Sequence, residues 1–178
     1  MIETERLTLR SWLEADRAPW AAMCADPRVM ATIGPLQTRA QADAGVDRYH
    51  GYARDHGFTI WAVERRADGR FIGLCGLKPG APATPIEAQV EIGWRLAVDT
   101  WGQGYAREGA EASLGWAWAH LGCARVSAIT AATNARSRAL MARLSMVHDA
   151  ALDFRHPALA ADHPLAPHVT YCLDRPRA

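Results

Sequence analysis

DTWGQGYAREGA, residues 99–110, sets Gly102 and Gly104 immediately before an Ala- and Glu-rich run. Glycine weakens regular structure by about 0.5–1 kcal/mol relative to alanine, so a closely spaced pair implies unusual dihedrals or a close approach from outside. Ala106, Ala110, Leu114, Ala117 and Leu121 then recur on one helical face. That spacing predicts a helix over about 105–121, with Gly122 placed to end it. Upstream, AQVEIGWRLAV (88–98) reads as a strand. Strand, glycine bend and helix N-terminus in that order gather unpaired N–H groups and partial positive charge at one point. This is a ready anion site, and a pyrophosphate is its natural guest. Two nucleotide motifs do not fit. Arg107 stands where GxGxxG needs its third glycine, and the next strand, RVSAITAATN, carries no acid for a ribose. The Gly-Lys-Ser/Thr of a phosphate-binding P-loop is missing as well. The competing reading is a tight turn that serves the fold alone.

Working outward, RLTLRSW alternates as a half-buried first strand, and FTIWAVER, ADGR and FIGLCGL form a hairpin turned at Asp68-Gly69. EADRAPWAAMCADPRVM and TRAQADAGVDRYHGYARDHG are helical pieces, interrupted at Asp26-Pro27 and Gly34-Pro35. RVSAIT is a strand, and Asn134 is placed to cap a helix over NARSRALMARL. MVHDAALDF and HVTYCLD close the chain as strands around a Pro- and His-rich loop. The expected order is β–α–α–β–β–β–α–β–α–β–β, a mixed α/β domain spanning 1–178.

The 178 residues are 49% hydrophobic and 22% charged, with a formal net charge of +1. Neither nucleic acid nor a membrane surface is called for as a partner. No apolar run reaches the roughly 18 residues of a membrane span, and MIETERLTLRSW lacks the basic-then-apolar character of an export signal. A cytoplasmic location is expected. Cys24, Cys75, Cys123 and Cys172 are scattered singly, which suits reduced, mostly buried thiols. His148, His156, His163 and His168 match no zinc spacing, so no metal is expected.

VEIGWRLAVDTWGQGYAREGAEASLGWAW (90–118), NARSRALMARLSMV (134–147) and DFRHPALAADHPLAPHVTYCL (153–173) together resemble the GNAT superfamily of acetyl-CoA-dependent N-acetyltransferases. Within it they resemble the branch of ribosomal-protein N-terminal acetyltransferases. The family pattern Q/R-x-x-G-x-G/A falls on Trp101–Ala106, with Trp101 where Gln or Arg is usual. The resemblance implies a largely antiparallel, seven-stranded α+β sheet, splayed beyond a bulge between its fourth and fifth strands, with acetyl-CoA inserted there. It places backbone groups of Leu96, Ala97 and Val98 against the pantetheine amides. It places the N–H groups of Gln103, Gly104, Tyr105, Ala106 and Arg107 on the pyrophosphate, with Gly102 and Gly104 keeping the phosphates unobstructed. Asn134 would bind the cofactor, cap a helix, or both. Ser137 would protonate the leaving thiolate or only bind cofactor; Met141 stands where many members carry a tyrosine acid. Arg138 is a candidate partner for the ribose phosphate.

The implied chemistry is attack of a neutral amine on a thioester, so a base must first take a proton. Glu91 is the preferred base, since an acid in an apolar strand has a raised pKa. The alternative is a Glu91 facing solvent, and Asp153 and His156 are rival bases. Backbone N–H groups near Trp94 to Leu96 would hold the oxyanion. The favoured acceptor is the N-terminal α-amine of a protein or peptide. Small amines (an amino acid, a polyamine, an aminoglycoside) and a non-catalytic acyl-CoA sensor are the alternatives, and a homodimer is compatible with the branch.

Overall fold

Leu7 and Leu9 are buried while Thr8 and Arg10 remain half-exposed, the two-residue period of a strand with one face on a core. The computed structural model describes residues 1–176. It contains β1 (Ile2–Glu3), β2 (Leu7–Arg10), α1 (Arg17–Cys24), α2 (Pro27–Met30), α3 (Arg39–His56), β3 (Ile60–Arg65), β4 (Arg70–Pro79), β5 (Val90–Leu96), α4 (Tyr105–His120), β6 (Arg125–Ala131), α5 (Ala135–Arg143), β7 (Val147–His148), β8 (Phe154–Arg155) and β9 (Pro167–Asp174). The strands form one sheet in the order β1-β2-β3-β4-β5-β6-β9-β7, with β8 also on β9. Every pairing is antiparallel except β5 with β6. That parallel pair meets only at Val90 with Val126 and Glu91 with Ser127. Beyond Glu91 the two strands part.

The sheet has nine strands rather than the expected seven. One addition is the two-residue β1. The other comes from MVHDAALDF, which is not one strand. The Asp149 carboxylate accepts the Ala151 N–H and starts a 3-10 turn over Ala150–Leu152, which divides the segment into β7 and β8. The expected bulge in β5 is absent too, since its register with β4 runs unbroken from Val90 to Leu96. The splay follows instead from where β6 pairing stops.

Local signals explain the helices. Thr38 and Gln41 form a reciprocal capping box on α3, and Gly57 closes it in the left-handed conformation at φ 76°. Asp26 accepts the Arg28 N–H, and Pro27 occupies the first turn of α2, where no donor is needed. Helix α4 ends differently from expectation. Leu121 turns extended, at φ −106° and ψ 135°, and its N–H closes the last turn on Ala117. Gly122 is not among the residues with positive φ.

Two separate cores occupy the two faces of the sheet. Leu7, Leu9, Val63, Ile72, Leu77 and Ile92 meet Ala110, Leu114 and Ala117 of α4 on one face. Trp12, Ile60, Ala62 and Leu74 meet Trp20, Met23 and Cys24 of α1 and Val46 of α3 on the other. Trp20, 1% exposed, is among the largest buried side chains. Its indole N–H donates to the Ala42 carbonyl at 3.2 Å, which gives the buried donor a partner. Cys24, Cys75 and Cys172 are buried free thiols, and Cys123 is half-buried. Among the described residues no helix is long and apolar enough to cross a membrane.

Candidate active site

The glycine bend has a visible reason. Gly102 and Gly104 sit at φ +76° and +85°, a region costly for residues with a Cβ. A Cβ on Gly102 would meet nothing within 4 Å, so dihedral, not crowding within the chain, selects glycine there. Gly104 is the N-cap of α4 and offers no side chain to cap it. The N–H groups of Tyr105, Ala106 and Arg107 therefore open outward with the helix's partial positive charge behind them. Arg6, which the sequence did not single out, braces the bend from β2's approach. Its Nη1 donates to the Gln103 carbonyl at 3.0 Å, its Nε donates to Glu108 at 2.7 Å, and its guanidinium lies 4.7 Å from the Tyr105 ring centre. Burial alone would raise the Glu108 carboxyl; donors from Thr4 and Arg6 outweigh it and hold the group below the usual range.

The bend opens on a cleft of about 1150 Å³. Gly102, Gly104, Tyr105, Ala106 and Arg107 line it together with Trp94 and Leu96 of β5 and Asn134 and Ser137 of α5. A third wall, Arg28 to Ile33, comes from α2 and the chain after it. The segment that follows β5 is placed otherwise than expected. The Ala97 N–H donates to Ile72 at 2.9 Å, its carbonyl accepts from Thr100, and the Val98 carbonyl accepts from Trp101. Ala97 and Val98 line a second groove of about 790 Å³ on the other side of the chain. The Gln103 side chain closes the bend, donating to the Asp99 carbonyl at 2.9 Å. The Trp101 indole N–H donates to the Leu96 carbonyl at 2.8 Å, which fastens the bend to the end of β5.

Amides alternate in direction along an antiparallel strand. Because the Ala97 N–H points to β4, those of Trp94 and Leu96 point the other way, into the gap where β6 has parted. These are the donors that the sequence marks for an oxyanion.

Asn134 is 9% exposed and uses both ends of its amide. Oδ1 accepts the Ser137 N–H at 3.2 Å, and Nδ2 donates to Thr130 Oγ1 at 2.9 Å and Ser137 Oγ at 3.1 Å. It is thus an N-cap that also orients the Ser137 hydroxyl. Arg107 pairs with Glu111 at 2.8 Å along its own helix. Arg138 does not reach the cleft; it donates to the Ala132 carbonyl at 3.0 Å and lies against the Tyr171 hydroxyl. Arg136, which the sequence suggests lies on a solvated helix face, is exposed and stacks its guanidinium 4.3 Å from the Trp101 ring centre on the cleft wall.

Glu91 is 6% exposed, so it is buried rather than solvent-facing. It lies outside the cleft lining, on the sheet face of α1, with Lys78 as cross-strand neighbour. Oε2 takes both contacts, from the Lys78 ammonium and, at 3.2 Å, from the Ala81 N–H. Oε1 has no hydrogen-bond partner among the described residues. Burial pushes the carboxyl up and Lys78 pulls it part of the way back, leaving it above the usual range. Lys78 was not legible as a partner, because the two residues are separated by 13 positions across a loop. Like Glu91, neither rival base lines the cleft. Asp153 accepts from the Thr170 N–H at 3.0 Å and pairs with His148 at 3.0 Å. His156 packs 4.8 Å from His168, and burial lowers both imidazoles, with His168 and Lys78 adding to the effect on His156.

A family model described as an acetyltransferase (GNAT) domain matches residues 6–147, and the chain belongs to that family. Two curated relatives fit. An uncharacterized protein YkkB of Bacillus subtilis is 33% identical over 62% of this chain and 64% of its own length. FsC-acetyl coenzyme A-N(2)-transacetylase of Aspergillus fumigatus is 37% identical over 52% of this chain and 40% of its own. Each match thus spans less than two thirds of the relative. Among solved structures, an acetyltransferase from Agrobacterium tumefaciens overlays with TM-score 0.79 at 24% identity, covering 97% of this chain and 92% of that one. A spermidine N-acetyltransferase from Vibrio cholerae, in complex with CoA and spermine, gives 0.74 at 16%, covering 97% of both chains. A ribosomal-protein-S5-alanine acetyltransferase from Vibrio fischeri gives 0.75 at 16%, covering 97% and 95%. These likenesses establish the mixed, largely antiparallel GNAT fold.

Proposed function

We propose that the protein transfers the acetyl group of acetyl-CoA to a primary amine, with the α-amine of a peptide or protein as the favoured acceptor. The observation that carries this reading is the uncapped start of α4. It opens, on a bend held by two left-handed glycines, into the same cleft as Ser137 and the parted strands. A pyrophosphate fits such a site because oriented N–H groups and the helix dipole need no reorganisation to receive it. Gly104, Tyr105, Ala106 and Arg107 hold the pyrophosphate, Gly102 sets the bend, and Leu96 offers its N–H at the gap. Asn134 orients Ser137. The protein is proposed to act as one domain in the cytoplasm.

Glu91 takes a proton from the acceptor ammonium through water on its free Oε1. The neutral nitrogen attacks the thioester carbonyl, and the N–H groups of Trp94 and Leu96 receive the developing oxyanion. The C–S bond then breaks, and Ser137 passes its proton to the departing thiolate. Ser137 regains one, through water, from the nitrogen, which sheds its second proton to become the amide. Glu91 returns the first proton to solvent. The products are an acetamide and the free thiol.

A thiol-release assay with acetyl-CoA against peptides, amino acids, polyamines and aminoglycosides tests the reading, with calorimetry of CoA binding alongside. Turnover on an amine is expected, and Glu91→Gln is expected to lower it about 100-fold or more with CoA affinity retained. CoA binding without turnover on any amine would instead support an acyl-CoA sensor, and absence of CoA binding would overturn the reading of the bend.

A further inference from the structure

Three arginines that line the cleft lack a carboxylate partner among the described residues: Arg95, Arg136 and Arg143. The other two are committed, Arg28 to Asp26 at 2.7 Å and Arg107 to Glu111 at 2.8 Å. Arg136 and Arg143 stand on α5, beside the bend. Arg95 is different. It projects from β5 on the same face as Glu91, toward α1, across the sheet from Trp94 and the α4 core. Its guanidinium lies 4.9 Å from the Trp20 ring centre, and its Nη1 donates to Cys24 Sγ at 3.3 Å.

A thiol sulfur is a weak acceptor. A half-buried guanidinium whose hydrogen bonding within the chain ends there has donors left over in a place where leaving them unmade is costly. The Trp20 face holds the planar group in one orientation, and a fixed guanidinium fork is matched by a carboxylate in bidentate contact. On the proposed reading the phosphates sit at the α4 N-terminus, and the Arg95 side chain turns away from it to the α1 face of the sheet. An anion at Arg95 therefore belongs to the second substrate.

We propose that Arg95 anchors a carboxylate carried by the amine acceptor. The acceptor class is then an amine with a carboxylate on the same small molecule or within its first residues, either a free amino acid or a peptide with an acidic N-terminal segment. The inference rests on the acetyltransfer reading above. It deepens that reading by naming what the acceptor carries besides its amine.

The test compares matched acceptors: an amino acid against its amide, and a peptide beginning with acidic residues against its Asn/Gln counterpart. Each is assayed with wild type, Arg95→Gln and Arg95→Lys. Wild type is expected to prefer the acid over the amide in one pair, and the pair concerned identifies the source of the carboxylate. Arg95→Gln is expected to raise KM for the preferred acid about 10- to 100-fold, so that the preference collapses. Arg95→Lys, which keeps charge without the fork, is expected to recover part of it. Calorimetry with CoA and a thermal melt show whether each variant still folds and binds. Equal use of acid and amide by wild type, or an equal loss on both in Arg95→Gln with CoA binding intact, overturns the Arg95 assignment while leaving acetyltransfer in place. Absence of turnover on every amine by wild type would remove the underlying reading instead.

Discussion

Replacing Gly102 with alanine isolates what the bend requires. The residue sits at φ +76°, and a Cβ there would meet nothing within 4 Å. The cost of Gly102→Ala is therefore the left-handed dihedral alone, about 1–2 kcal/mol for a residue with a Cβ. In a chain of this size that corresponds to a fall in Tm of about 2–8 °C. Gly104→Ala carries the same dihedral cost at φ +85° and adds a clash, since its Cβ would lie 3.3 Å from Arg6 Nη2. That nitrogen is held 2.6 Å from Glu108, so it has little freedom to yield. The larger fall in Tm is expected there. Each alanine relieves its strain by rotating the peptide planes that aim the N–H groups of Gly104 and Tyr105, so CoA affinity is expected to fall about tenfold or more. Asparagine at 102 tolerates the left-handed region better and is expected to recover most of both losses. Melts and CoA titrations of the three variants decide the matter. A Gly102→Ala protein with wild-type Tm and wild-type CoA affinity would refute the argument that the dihedral matters.

Lys78→Met removes the ammonium that opposes burial at Glu91, so the carboxyl rises further above its ordinary range. The acid limb of the rate profile is expected to move to higher pH. A carboxyl raised on folding contributes stability at low pH that is lost as pH rises through the folded value. The variant is therefore expected to lose more Tm at about pH 8 than at about pH 5. Asn134→Ala is expected to cost about 1 kcal/mol as a lost cap and to lower turnover by releasing Ser137, whereas Asn134→Asp keeps the cap. A stable Asn134→Ala protein with full turnover would deny the serine its orienting partner. Asp153→Asn can still accept the Thr170 N–H, so it is expected to keep most turnover. A 100-fold loss in that variant would make Asp153 the base.

The bend, the helix after it and the Asn134 cap were legible because each depends on residues adjacent in sequence. Glycine spacing, apolar period and an Asn three residues before Ser137 are local signals. The partners that give the site its electrostatics were not. Lys78 reaches Glu91 across a loop, and Arg6 reaches Gln103 and Glu108 from the opposite end of the chain. Nothing near any of them announces the contact. The segment after β5 was misplaced for a related reason. Alternation marks Ala97 and Val98 as strand, but Trp101 and Thr100 fold back and claim the carbonyls of Leu96 and Ala97. The tail misled through Asp149 and Asp153, whose side chains compete with strand pairing in a stretch that is otherwise apolar.

The two cores have an evolutionary corollary. Helices α1 and α3 rest on Trp12, Ile60, Ala62 and Leu74, whereas the anion bend and α4 rest on Leu7, Ile72, Leu77 and Ile92. On the proposed reading, the α1 and α3 layer, assigned to the acceptor, can accumulate substitutions without loosening the α4 layer, assigned to the cofactor. A lineage can change which molecule it modifies by rewriting one side of the sheet while inheriting the other. Grafting α1 and α3 from a relative, with the facing side chains of β3 and β4 and with the cleft wall Arg28–Ile33 retained, is the corresponding engineering route.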